Sequence, residues 1–465
     1  MKAGFKQIFS DLKESIAGTE KDFTTEKLSR AILLLSVPMV LEMAMESVFA
    51  IVDIFFVSRL GSGTVAVIGI TESLMTLVYA LGIGLGTAAT AIIARRIGEK
   101  KPHEASRAAG QAILTGSMIS ILLSVIAVLF YKKILSLMGL EPEIIRQYGS
   151  FTAIITGGNI VIMLLFINNA IFRSSGDAAI SMRVLWFANI LNIILDPILI
   201  FGFGPVPALG ITGAAIATTT GRGLGVIYQF YLLFRGKHRI KIRLRDFKPD
   251  LSIIRHLIQL ASGATGQHLI ATSSWILLVR IISLFGSQAV AGYTIAMRVM
   301  VFMLLPSWGI SNATSTLVGQ NLGANKPERA ERSVWITGYI NMIFLGLISI
   351  ILALTPGTFI RIFIHEPDVI QYGSEALRIM SYGFIAYGLG MVMVSTLNGA
   401  GDTATPTWIN FFCYWMLELP LAYLLAVTLK MNETGVFISI LIAEIAMTST
   451  AFYFFKRGRW KDMKV

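Results

Sequence analysis

The chain has 465 residues, of which 55% are hydrophobic and 14% charged, and its mean hydropathy is +0.71. A water-soluble fold of that length cannot bury so much apolar surface, so the composition excludes a soluble protein and points to a bilayer as solvent. The single cysteine, Cys413, excludes an intrachain disulfide and any cysteine-built zinc or redox motif, and the net charge of +12 follows the membrane topology rather than marking a nucleic-acid footprint.

Residues 1–30 are charged throughout and run straight into the first apolar stretch, so no cleavable signal peptide is expected. Phe5, Ile8, Phe9, Leu12 and Ile16 recur there at helical spacing, which predicts a short amphipathic helix on the membrane surface. Twelve membrane spans are expected: six in residues 31–234, a basic linker over 235–252, six more in residues 253–455, and a tail over 456–465. With both termini on one side, the loops of that side hold 29 Lys and Arg against eight on the other. This asymmetry predicts cytoplasmic termini and a multi-pass protein of the cell (inner) membrane, and it removes nucleic acid as a partner.

The first span carries Glu42, Glu46 and Asp53. At about 100° per residue, Glu46 and Asp53 fall within about 40° of Glu42, so all three share one face, with Pro38 beside it. A carboxylate at bilayer depth costs about 2.5–3.5 kcal/mol on insertion scales, so this face must look into protein or water. An acidic stripe in a membrane helix suggests transport.

Beyond it the chain repeats. Ser58 to Ala66 returns as Ser283 to Ala291, Gly98 to Arg107 as Gly323 to Arg332, and Gly176-Asp177 as Gly401-Asp402, each shifted by 225. Glu141 to Ser150 returns with one residue dropped as Glu366 to Ser374. The chain is therefore a duplicated six-helix unit, and an even number of spans makes the halves parallel repeats with a cavity between two lobes. Under the same shift Glu42 faces Gln267 and Asp53 faces Leu278, so the acids belong to the first half.

The fifth span carries Asn189, Asn192 and Asp196 in one stripe, followed by Pro197. The sixth carries Thr218 and Arg222 one turn apart, among Gly213, Gly221, Gly223 and Gly225, where small residues let helices approach closely. Counted inward from the outer helix ends, Asp53, Asp196 and Thr218 lie about 6, 9 and 12 Å deep. Oxygens from three helices then meet at similar depth, which suits a shared proton or a small hard cation such as Na⁺. The same groups also suit a hydrogen-bond network that glues the lobe. Asp53, Asn192, Asp196 and Thr218 are the expected proton or Na⁺ site, and Glu46, Asn169, Asn189 and Glu418 the expected residues of the substrate cavity. Glu72, Glu418 and Glu444 are alternatively partners of Arg222 or Arg298. No organic cofactor is expected; the chain has no Walker A stretch, and Gly82, Gly84 and Gly86 lack the context of a dinucleotide fingerprint.

Pro38, Val52-Asp53, Val57 to Gly61, Asn192 to Pro197 and Gly213 to Thr218 together resemble the multidrug and toxic compound extrusion (MATE) transporters. Phe172 to Asp177 and Leu397 to Asp402 are similar to that family's paired cytoplasmic turns, and the resemblance covers residues 28 to 455. It implies an all-α integral membrane fold of twelve helices in two pseudo-symmetric six-helix bundles forming a V, and cation-coupled export of organic compounds. By motif, Asp53 matches the first-helix aspartate, Asn192 and Asp196 the fifth-helix pair, and Thr218 the sixth-helix hydroxyl of the family's N-lobe proton or sodium site. One departure is Gln267, where some branches carry an acid in the seventh helix.

An antiporter exporting cationic or amphipathic compounds by alternating access is the favoured reading, with small organic substrates and membrane lipid as partners and a single copy as the working unit. A flippase for lipid-linked oligosaccharides would line its cavity with several cations, whereas only Arg222 and Arg298 lie deep. A membrane-embedded enzyme would need a nucleophile–base set or a motif such as His-Glu-x-x-His, which the chain lacks. A channel suits duplicated halves with asymmetric acids less well.

Overall fold

Proline and glycine punctuate the chain into helices. Pro102, Pro142, Pro327 and Pro367 each open one, where the missing N–H is no loss and φ is preset. Gly176 and Gly401 each close one in the left-handed conformation, with φ of 98° and 95°. Lys100 and Asn325 take positive φ at equivalent turns, 60° and 56°. The duplication read from the sequence is thus repeated in backbone geometry.

The computed structural model describes residues 2–18, 21–60, 62–235 and 238–465, leaving the side chains of 2–8, 54, 58 and 62 undescribed. Spans 1 to 6 are Leu28–Val57, Ser62–Gly98, Pro102–Leu137, Pro142–Ser175, Ala178–Phe201 and Ile211–Arg235. Spans 7 to 9 are Leu251–Ile282, Ser287–Gly323 and Pro327–Leu354. Span 10 is the pair Pro367–Ser381 and Phe384–Ala400, bent by 56°, and spans 11 and 12 are Ala404–Thr428 and Asn432–Lys456. Span 11 winds with wider i→i+5 turns over Phe411–Glu418 and Leu424–Thr428. Among the described residues, nine single helices and the bent pair are long and apolar enough to cross a bilayer on their own. The other two, spans 1 and 6, are the ones that hold Glu42, Glu46, Asp53 and Arg222.

The lipid-facing surface shows the same symmetry. Span 3 leaves Met118, Leu122, Val125 and Leu129 exposed, and span 9 leaves Ile343, Leu347, Ile350 and Leu354 exposed, each 225 residues on. Apolar stripes of this kind at helical spacing are tolerated in hydrocarbon and not in water.

The lobes meet on the side where both termini lie. Gly309 of span 8 sits against the Met39 backbone of span 1, and Gly84 of span 2 against Ala261 and Thr265 of span 7. Nearer the surface, Gly98 abuts the Gln320 carbonyl and Gly323 the Arg95 carbonyl. Only glycine allows such backbone approach, so these four positions close the cleft on the termini side. A buried cluster of Phe23, Ala31, Leu35, Met39, Ala313 and Leu317 seals the same seam.

The amphipathic segment forms the helix Lys2–Ala17, and Phe9 and Ile16 stay exposed, as a membrane-surface helix requires. Phe5 and Ile8 lie outside the described side chains. Its polar edge does more than face water. Ser15 Oγ donates to the Leu34 carbonyl at 3.2 Å, an acceptor that Pro38 leaves without its helical N–H. Asp11 and Glu14 both take the Arg30 guanidinium, at 3.0 and 2.6 Å.

Candidate functional site

Spans 5 and 6 can touch because of their glycines. A methyl on Gly213 would strike the Leu199 carbonyl, and one on Gly221 would lie 2.9 Å from the Ala188 carbonyl. That closeness lets Thr218 reach Asn192. With the Asn192 amide oriented to satisfy both neighbours, Nδ2 donates to Asp196 Oδ2 at 2.7 Å. Its Oδ1 then accepts from Thr218 Oγ1 at 3.1 Å and from the Thr218 N–H at 2.9 Å. Pro197 withholds a helical N–H from the Ile193 carbonyl, which adds a free acceptor to the same turn. Asp196 is fully buried and its Oδ1 has no partner among the described residues. Asp53, on span 1, is the charged neighbour that acts on it. Asn192, Asp196 and Thr218 are therefore joined by hydrogen bonds, with Asp53 a charged neighbour rather than a contact. No group of three or more His, Cys, Asp or Glu side chains converges anywhere among the described residues, so a metal ion here would rely on two carboxylates plus neutral oxygens.

The acids of span 1 have different neighbours. Asp53 acts on Asp196 and is itself under the charge of Arg222. Glu46 lies 3.9 Å from Arg222 Nη2, whose guanidinium also sits over the Phe49 ring at 5.3 Å. Tyr79 and Glu72 are further neighbours that act electrostatically on the same guanidinium. Glu46 is part-exposed, as a cavity residue should be, while Arg222 is nearly buried. Glu42, at the level of the closed seam, is 1% exposed and accepts from Arg173 Nη1 and Asn169 Nδ2, both at 3.2 Å. Gln229 Nε2 donates in turn to Asn169 Oδ1 at 2.7 Å. Sequence reasoning missed Tyr79, although it lies seven residues after Glu72 and so on the same helix face.

Three of the expected cavity residues lie buried. Asn169 is 5% exposed and bridges Glu42 and Gln229. Asn189 is 1% exposed, and neither amide atom has a partner among the described residues. Glu418 is likewise 1% exposed, accepting from Ser274 Oγ at 2.5 Å inside the second lobe. Glu444 receives the Tyr414 hydroxyl at 3.3 and 3.4 Å, and Arg298 is exposed, so neither acid is an arginine partner. Glu418 ends the first stretch of wide winding in span 11 and is buried there.

The second lobe repeats the seam contact in neutral form. Gln267 Nε2 donates to Asn398 Oδ1 at 3.0 Å and Asn398 Nδ2 returns a bond to Gln267 Oε1 at 3.1 Å. These residues stand 225 positions after Glu42 and Arg173. Leu278, the counterpart of Asp53, is fully buried. The charged cluster is confined to the first lobe.

Two six-helix bundles of apolar spans define a multi-pass membrane protein, and its relatives make it a transporter rather than an enzyme. The MatE family profile matches the chain twice, over residues 38–198 and 264–424, and the chain belongs to that family. It is 25% identical over 456 residues to the probable multidrug resistance protein YoeA of Bacillus subtilis, covering 96% of this chain and 98% of that protein. It is 26% identical over 401 residues to an FAD transporter of Shewanella oneidensis, covering 85% and 88%. A crystal structure of MATE in complex with MaL6 superposes with a TM-score of 0.89 at 22% identity, covering 95% of this chain and 99% of that one. The fold is that of the MATE transporters, twelve helices in two bundles, and these relatives are named as a probable multidrug resistance protein and an FAD transporter.

Proposed function

We infer that this chain is an antiporter that exports organic cations or amphipathic compounds in exchange for H⁺ or Na⁺, by alternating access across the cell membrane with both termini cytoplasmic. One observation carries the reading: a buried Asp196 with an unsatisfied oxygen, under the charge of Asp53, in a lobe whose counterpart positions are neutral. Two carboxylates that act on each other near a buried site repel, which favours taking up a proton or cation there. The acids of the cleft favour positive cargo, and the single copy contains both lobes and the whole site.

Coupling through the Asn192 bridge is the simplest route: Asp196 Oδ2 accepts from Asn192 Nδ2, whose Oδ1 accepts from Thr218. A proton or cation on Asp196 weakens what that carboxylate accepts, and so alters the contact between spans 5 and 6. Cargo and ion need not touch; each favours a different packing of the same helices.

The test is efflux from proteoliposomes with ΔpH and ΔNa⁺ imposed separately, using cationic dyes, a neutral compound and FAD as cargo. One gradient is expected to drive dye efflux. Asp53→Asn, which keeps the shape but cannot ionise, is expected to abolish the driven component while the protein still folds. Gradient-driven transport at the wild-type rate in that variant would falsify the assignment.

A further inference from the structure

A cavity of about 860 Å³ lies away from the acidic cluster, on the termini side between spans 2, 3 and 7. Arg96, Arg107, Arg255 and His256 line it, against one acid, Glu104. Two of these cations are committed. Arg96 binds Glu99 at 2.8 Å and Glu104 at 3.4 Å, and it donates to the Val465 carbonyl at 3.1 Å. Arg107 binds Asp250 at 2.8 Å. Arg255 is exposed and makes no ion pair among the described residues, and the buried His256 Nε2 has no partner there.

The internal repeat says what such a surface is built to hold. Arg255, His256 and Gln259 stand 225 residues after Arg30, Ala31 and Leu34. On span 1 that face is covered: Asp11 and Glu14 neutralise Arg30, Ser15 caps the Leu34 carbonyl, and Phe23 packs on Ala31 and Leu34. The covering segment is an amphipathic helix of the chain itself, which brings two carboxylates to that arginine. On span 7 no described segment of the chain plays that part, and the face lines the cavity instead. Leu251 and Ile258 are exposed beside it, 80% and 48%, where span 7 leaves the bilayer.

We propose that this cavity binds the headgroup of an anionic phospholipid of the adjacent leaflet, its phosphate held by Arg255 and His256 and its chains lying along Leu251 and Ile258. A phosphate supplies the charge that Asp11 and Glu14 supply to Arg30, and the acyl chains supply the apolar cover that Phe23 supplies to the first lobe. The bound lipid bridges spans 2 and 3 of one lobe to span 7 of the other, and so favours the arrangement closed on this side. The inference is independent of the coupling ion and of the cargo.

The experiment uses the full chain, delipidated in neutral detergent, with native mass spectrometry and thermal unfolding after addition of phosphatidylglycerol or phosphatidylcholine. The expected result is preferential retention of phosphatidylglycerol, with Arg255→Glu lowering that preference about tenfold. Arg255→Gln lowers it less, and Lys132→Glu, a surface change on the opposite side, leaves it intact. Equal retention of the two lipids, or an unchanged preference in Arg255→Glu, overturns the proposal. So does stabilisation by inorganic phosphate equal to that by phosphatidylglycerol, which would make the site one for free phosphate. Binding of a synthetic acidic amphipathic peptide in place of lipid would equally overturn it, in favour of a protein occupant.

Discussion

Arg173 shows how much a single residue carries. It is the cationic partner of the fully buried Glu42, and its backbone carbonyl also accepts from Thr316 of span 8, at 3.3 Å. Removing one member of a buried ion pair strands the other, at about 3–5 kcal/mol. Arg173→Ala is therefore expected to lower thermal stability in detergent by about that much. The second lobe offers the remedy, since it makes the same contact with Gln267 and Asn398. The double variant Glu42→Gln/Arg173→Asn copies that neutral pair and should recover most of the loss, because no charge is left unpaired. If the double variant is as unstable as Arg173→Ala alone, the charges themselves, and not the hydrogen bonds, hold this seam.

At the scale of elements, closure on the termini side depends on spans 2 and 8 lying backbone to backbone at Gly98 and Gln320. A methyl at Gly98 falls on the Gln320 carbonyl only while the lobes are closed there. Overpacking of this sort costs about 1–3 kcal/mol, which shifts a two-state population by about 5–150-fold. Gly98→Ala is expected to enrich the form open towards the termini, read as spin-label distances between spans 2 and 8 or as reactivity of cysteines placed on the seam. Gly69→Ala, where an added methyl meets nothing within 4 Å, is the control. Unchanged distances in Gly98→Ala would mean that this contact does not decide the closed state. The same logic explains the helix before span 1: Pro38 frees the Leu34 carbonyl, and Ser15 takes it up.

For the whole molecule, the proposed ion site and the cargo site must obey linkage. If protonation of the Asp53/Asp196 cluster favours the packing that releases cargo, saturating cargo must weaken proton binding by the same factor. Cargo affinity should then fall as pH is lowered in the wild type, because protons compete through the shared conformational equilibrium. In Asp196→Asn, which keeps the hydrogen-bonding shape but cannot take up the proton, the dependence should flatten. A cargo-binding titration at several pH values, with and without Na⁺, measures both. Matching profiles for the two proteins would remove the first-lobe acids as the coupling element and direct attention to Glu418 and Glu444.

The chain order alone told a great deal, because the relevant signals are local or repetitive. Apolar length predicts spans, helical periodicity puts Glu42, Glu46 and Asp53 on one side, and a constant shift of 225 reveals the duplication. Asp53, Asn192, Asp196 and Thr218 could be grouped because each helix face and depth follows from counting residues. Which acid meets which partner was not legible. Glu42 pairs with Arg173, Glu46 with Arg222, and Glu418 with a serine rather than an arginine. These choices depend on distances between helices, which are set by where glycines let backbones touch. The filled groove on span 1 and the open one on span 7 come from equivalent stretches of sequence. Only the path of the preceding chain in three dimensions makes one buried and leaves the other a cavity.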